Sequence, residues 1–335
     1  MPYWAILLNF KKEEGKKVKR KRPLVLLLAF LLVAVSALAG CGSDSSSSSN
    51  RKTIRIGYQK GDPLHITKSL GELDKRLKEM GYKVEWKQFQ DGSALIEALN
   101  AGSIDYGRTG DIPPITAQAS GSKIVYVGAG HSKAKGSGIL VPKNSSIKSI
   151  SDLKGKKVAF SKGSSSHYLV VKALQKAGLS LKDITPVYLD PSEARIAFEK
   201  GNVDAWAVWD PYTASAQVNA GAKMLVSGEG LTTDRDFIIA SKSYAESHKK
   251  VTDAVLEETE KAMEWANNHH SELVNKLAGE LKMDKKTVQT AVERRVYGFS
   301  KISDTILKEQ QSIADLFYEL KVVPKKVNVQ DAVLK

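Results

Sequence analysis

The chain has 335 residues, 42% hydrophobic and 26% charged, and 51 Lys and Arg against 37 Asp and Glu give a formal net charge of +14 at pH 7. Its single cysteine excludes a disulfide framework, and Lys alternating with Asp and Glu, instead of gathering with aromatics on one face, argues against nucleic-acid binding. Six scattered histidines offer no His-x-x-x-His pair, and phosphate-loop and dinucleotide patterns are absent, so neither a metal nor a cofactor is expected.

Residues 16–22 hold six basic side chains, and 24–38 is almost wholly apolar before Leu38-Ala39-Gly40-Cys41. An apolar core of about 15 residues is short for a membrane span, which needs about 20, and reads as a secretory signal. The small residues before the lone cysteine resemble the bacterial lipobox. That implies cleavage before Cys41, diacylglycerol on its sulfur and acylation of its new amino group. Residues 1–40 are therefore expected as a lipoprotein signal peptide and 41–51 as a Ser-rich tether. Ahead of the signal, Lys12-Glu13-Glu14-Gly15 is what a purine-rich ribosome-binding site would encode, so translation is expected to start at Val18. Residues 1–40 carry eight Lys and Arg and two Glu, leaving a formal +8 on the remainder.

From there the elements follow in order. Residues 54–58 read as a strand and 64–80 as a helix with Leu70, Leu73, Leu77 and Met80 on its apolar face and Gly81 as C-cap. A strand over 84–89 leads to a helix over 94–101 capped by Asp91 or Ser93, then to a short strand over 104–109. Asp111 precedes Ile112-Pro113-Pro114, where two residues donate no N–H; its simplest role is an N-cap. Strands over 123–129 and 138–141 flank a first crossing, at 130–136, into a second lobe.

That lobe runs through strand 157–160, a Ser-rich helix start, strand 184–189, helix 192–200, strand 205–209, helix 211–220 and strand 223–226. Gly228-Glu229-Gly230 offers the return hinge, 237–240 a strand back in the first lobe, and helices follow over 244–268, 271–281, 284–296 and 303–320. Strands separated by helices call for an α/β fold of two lobes, 52–135 with 229–335 and 136–228, each with a mainly parallel sheet. The ligand cleft then lies at the strand carboxyl ends.

Lys162-Gly163-Ser164-Ser165-Ser166-His167 closes one strand and opens a helix, so three hydroxyls and unpaired backbone N–H groups converge where the helix carries roughly half a positive charge. Lys60-Gly61-Asp62-Pro63-Leu64-His65 repeats its Lys, Gly and His at an offset of 102. Gly102-Ser103-Ile104-Asp105 followed by Asp111 matches Gly201-Asn202-Val203-Asp204 followed by Asp210 at an offset of 99, so the two lobes repeat one plan.

A hydrolase reading fails, because a nucleophile elbow needs glycine where His167 stands; His167 is expected at the helix surface or cleft rim. An anion binder remains. In Ala205-Trp206-Ala207-Val208-Trp209 the alternation assigns Trp206 to the core and Trp209 to the ligand.

These residues, with Ile56-Gly57-Tyr58-Gln59-Lys60-Gly61, Gly107-Arg108-Thr109-Gly110-Asp111-Ile112-Pro113-Pro114, Asp210-Pro211-Tyr212 and Asp315-Leu316-Phe317-Tyr318-Glu319, resemble the aliphatic sulfonate-binding proteins of ABC importers, relatives of taurine and nitrate binders, over about 52–329. The resemblance implies a type II periplasmic-binding-protein fold and a non-enzymatic, monomeric receptor that delivers alkanesulfonates to a membrane permease driven by a cytoplasmic ATPase. It suggests a pocket of Gln59, Thr109, Gly110, Asp111, Gly163, Ser164, Ser165, Ser166, Trp209, Asp210 and Phe237. Taurine, nitrate or a thiamine-pyrimidine precursor are alternative ligands, and an enzyme of the same fold is the alternative class. The lipobox departs from free periplasmic relatives and implies a receptor anchored to the outer face of a single cell membrane. On this reading uncharged donors grip a permanently ionised sulfonate. Replacing Ser164 and Ser165 by Ala then weakens it by roughly 1–3 kcal/mol per lost bond and leaves the melting temperature nearly unchanged.

Overall fold

A computed structural model describes residues 52–334; the expectations for the signal, the tether, Cys41 and the start at Val18 lie outside them. β1 (Lys52–Tyr58) starts with two exposed residues and ends with three buried ones. The helix expected after it is two, α1 (Pro63–Leu70) and α2 (Glu72–Glu79), because Gly71 takes a left-handed conformation, φ 80°, that ends α1. β2 (Tyr82–Gln88), α3 (Gly92–Asn100), β3 (Tyr106–Thr109), α4 (Ile112–Ala119) and β4 (Ile124–Ser132) follow.

The second sheet comprises β5 (Ser137–Val141), β6 (Lys157–Phe160), β7 (Thr185–Tyr188), β8 (Ala205–Trp209) and β9 (Lys223–Ser227), with α5 (Ser165–Lys176), α6 (Pro191–Glu199) and α7 (Tyr212–Ala220) between strands. β10 (Arg235–Ser241) rejoins the first sheet. After it come α8 (Lys242–Ser247), α9 (Lys249–Asn268), α10 (His270–Leu281), α11 (Lys285–Glu293), the two-residue β11 (Phe299–Ser300) and α12 (Asp304–Glu319). A break at His248 divides the helix expected over 244–268.

The sheets are ordered β11-β4-β10-β3-β1-β2 and β7-β6-β8-β5-β9. In the first, β1 pairs parallel with β2 and β3, while β10 runs antiparallel between β3 and β4. In the second, β6 pairs parallel with β7 and β8, while β5 runs antiparallel between β8 and β9. The strands that arrive from the other lobe, β5 and β10, are therefore the reversed ones, and most of the rest share one direction. Apolar clusters cover the faces of each sheet: Ile54, Ile56, Leu64 and Leu73 against α9 and α10 on one, Ile239, Ile115 and Phe317 on another. Among the described residues no helix is long and apolar enough to cross a membrane.

Candidate ligand-binding site

The two Lys-Gly turns build the floor of the cleft in the same way. The Gly61 N–H donates to His65 Nδ1 at 3.0 Å, and the Gly163 N–H to His167 Nδ1 at 3.2 Å. Each imidazole stacks on the aromatic that ends its strand, Tyr58 at 5.0 Å and Phe160 at 5.1 Å. Each helix is capped by the next polar residue, Asp62 accepting from the His65 N–H at 2.6 Å and Ser164 Oγ from the His167 N–H at 3.4 Å. An accepting Nδ1 keeps both rings neutral with hydrogen on Nε2.

His167 is thus a buried structural residue, 1% exposed, and not the surface or rim residue expected. Burial, with Lys162 nearby, pulls its pKa down to about 4. The second repeated motif is structural as well: Asp105 accepts from the Arg55 N–H at 2.8 Å and Asp204 from the Lys157 N–H at 2.7 Å, tying neighbouring strands together.

Where these strand ends meet lies a cavity of about 250 Å3, its open mouth included. Five expected residues, Gln59, Gly110, Ser164, Ser165 and Trp209, form part of its wall. Trp209 and Asp210 also line an adjoining cavity, whereas Trp206 is 1% exposed in the core. Asp111 makes no side-chain cap for α4, contrary to its expected role. Its carboxylate instead accepts from Ser165 Oγ at 2.6 Å across the cleft. That approach needs Gly110, where an added Cβ would collide with Ser165 Oγ.

The remaining expected residues lie outside the walls of both cavities. Thr109 is buried, Gly163 forms the turn with φ +69°, Ser166 Oγ sits 2.8 Å from Ser164 Oγ, and Phe237 packs edge-on against Tyr126 at 5.2 Å.

The walls also contain residues that sequence reasoning missed, Gly92, Pro113, Arg108 and Lys133. The cavity is therefore not walled by neutral donors alone. Arg108 and Arg295 both pair with Asp236, and Lys133 Nζ lies 2.6 Å from Asp234. Burial lowers Lys133 to about 8 against the pull of Asp234. Burial would raise Asp234, but Lys133 and Ser137 hold it below its ordinary value. Asp111 is pushed up to about 6 by burial and Asp234, and Asp210 up to about 7 by burial against the pull of Arg294. An arginine inside the fully buried strand Tyr106–Thr109 was the legible signal for this cluster; Gly92 carried none.

Chemically, Ser164 donates to the Ser161 carbonyl at 2.7 Å and Ser165 to the buried Asp111 carboxylate, so no histidine base held by an orienting third group is among the partners of either serine. Hydroxyls, the first-turn amides of α5 and two cations around a small cavity suit the holding of an anion.

Residues 77–272 match the family model described as NMT1/THI5 like. A relative in Escherichia coli (strain K12), named as an aliphatic sulfonates-binding protein, is 42% identical over 287 residues, 85% of this chain and 89% of that one. One of the same name in Bacillus subtilis (strain 168) is 37% identical, covering 84% of this chain and 86% of that one. The structure of the alkanesulfonate-binding protein SsuA from Xanthomonas axonopodis pv. citri bound to MOPS superposes with a TM-score of 0.81 at 38% identity, covering 86% of this chain and 99% of that one. The chain belongs to the aliphatic sulfonate-binding protein family and has the periplasmic-binding-protein fold.

Proposed function

We propose that the protein is the solute receptor of an ABC importer, capturing alkanesulfonates outside the cell and handing them to a membrane permease for sulfur acquisition. The observation that carries this reading is Ser165 at the start of α5, presented by one lobe to Asp111 of the other at the wall of a cavity that also holds Lys133 and Arg108. A sulfonate is fully ionised, has three acceptor oxygens and brings no proton. It can take the Ser165 hydroxyl and the first-turn amides while Lys133 and Arg108 offset its charge. Phosphate, with more negative charge, meets Asp111 and is rejected.

The site residues are Gln59, Gly110, Ser164, Ser165 and Trp209 at the cavity wall, Asp111 and Asp210 beside it, and Thr109, Gly163, Ser166 and Phe237 behind it. The lobes divide at 135/136 and 228/229. The receptor acts as a monomer without catalysis, tethered to the outer face of the membrane by lipid on Cys41. Radiolabelled fatty acid incorporated by the native protein and lost in C41S tests the anchor; equal label in both refutes it. Calorimetric titration with ethanesulfonate, taurine, sulfate, nitrate and phosphate tests the ligand. Heat with ethanesulfonate and none with phosphate is expected; silence for every sulfonate overturns the assignment.

A further inference from the structure

The adjoining cavity lies on the other side of Trp209 and Lys133, which wall both chambers. It spans about 500 Å3 with its mouth included, and none of the expected anion contacts except Trp209 and Asp210 reaches it. One flank is apolar, formed by Leu281 of α10 with Val288 and Val292 of α11. The opposite flank is the end of β8, where Asp210 sits. The path from Ser165 into this space runs past Trp209, which lines both walls.

Asp210 gives the chamber a chemical preference. Its Oδ1 accepts from the Ala214 N–H at 2.9 Å and lies 3.5 Å from Arg294. Its Oδ2 is buried and has no hydrogen-bond partner among the described residues. Gly136, in the first crossing, packs directly on that carboxylate, since a Cβ there would stand 2.7 Å from Oδ2. Arg294 does not satisfy it either, since its Nη1 approaches Oδ1 and its Nη2 donates to Gln217 at 2.6 Å. A buried acceptor without a donor is costly, and a ligand that brings the donor gains what the protein leaves unmade.

We propose that this chamber is a tail subsite for sulfonates whose organic part ends in a hydrogen-bond donor, a hydroxyl or an amine, with Asp210 Oδ2 as its acceptor. The apolar flank of α10 and α11 covers the intervening methylenes. The inference rests on the sulfonate reading above and names the substrate class within it.

The test is calorimetric titration of the full chain with methanesulfonate, butanesulfonate, and its near-isosteres 3-hydroxypropanesulfonate and 3-aminopropanesulfonate. The donor-bearing pair is expected to bind about tenfold or more tighter than butanesulfonate, and Asp210→Asn to reduce that ratio to within about twofold. Ala291→Phe, which fills the chamber from α11 without touching Asp210, is expected to raise the Kd of all three longer sulfonates about tenfold or more relative to methanesulfonate. Butanesulfonate binding as well as its isosteres, or Ala291→Phe treating long and short sulfonates alike, overturns the subsite while the sulfonate reading stands. Absence of binding by any of the four, methanesulfonate included, overturns the sulfonate reading and this inference with it.

Discussion

Ser165 Oγ donates to Asp111 Oδ1 across the cleft at 2.6 Å while Asp111 Oδ2 has no partner among the described residues, so a sulfonate oxygen that takes the Ser165 hydroxyl leaves Asp111 without that donor and close to a second negative charge. Protonation removes the conflict. Asp111 is raised to about 6 and Asp210 to about 7, and both lose negative charge as pH falls, while Lys133, lowered to about 8, gains positive charge in the same direction. Sulfonate affinity is therefore expected to rise several-fold from pH 7.5 to pH 5, and Asp111→Asn to flatten the profile; calorimetry at the two pH values checks both, and weaker binding at pH 5 contradicts the account. His167 gives a stability prediction of opposite sign. Its folded pKa of about 4 lies below the 6.5 of a free imidazole side chain, so between those values the unfolded chain binds a proton that the folded chain refuses. Its contribution is intact above about 6.5 and falls by up to about 3 kcal/mol towards pH 4. The stability advantage of wild type over His167→Gln, read from denaturant melts, is expected to shrink across that window; a constant gap refutes it. Residue roles were only partly legible. Trp206 and Trp209 could be assigned by strand alternation, but the Asp111 side chain crosses to the other lobe, a contact that no local pattern encodes.

At the scale of elements, the strand and helix order was legible because apolar periodicity and Gly-capped ends mark each segment. Breaks inside a continuous apolar stripe were not: Gly71 splits one expected helix and His248 another, although the apolar face continues through both. The Ser-rich helix start changes the mutational expectation as well. Ser164 is the N-cap of α5 and also bonds the Ser161 carbonyl and Ser166, so Ser164→Ala is expected to cost about 1 kcal/mol of stability besides any loss of ligand. Ser165 lies within the first turn and reaches out to the cleft. Ser165→Ala is expected to weaken sulfonate binding by roughly 1–3 kcal/mol, and it also takes from the buried Asp111 carboxylate its side-chain donor, so the empty protein loses stability too. Titrations and thermal melts of the two variants side by side check this; Ser165→Ala with wild-type affinity contradicts it.

Across the whole molecule, the two lobes meet through bonds at several places. Gln90 accepts from Ser192 at 3.1 Å and from Tyr212 at 3.2 Å, Asn219 donates to Asp284 at 3.2 Å, and Phe317 packs on His167 at 5.4 Å. Behind the cavity, Lys133 of the first crossing meets Asp234 of the second, so a buried ion pair joins the two segments that connect the lobes. The Gly-rich crossings and the repeated half-chains were visible in the sequence. The ion pair was not, because its partners lie a hundred residues apart and neither carries a motif. The proposed function makes the position of the guest the decisive observable. The most direct measurement is a crystal structure of the protein with ethanesulfonate. Sulfonate oxygens within hydrogen-bond distance of Ser165 Oγ and the first-turn amides of α5 are the predicted result, and density for the sulfonate at any other place contradicts the account.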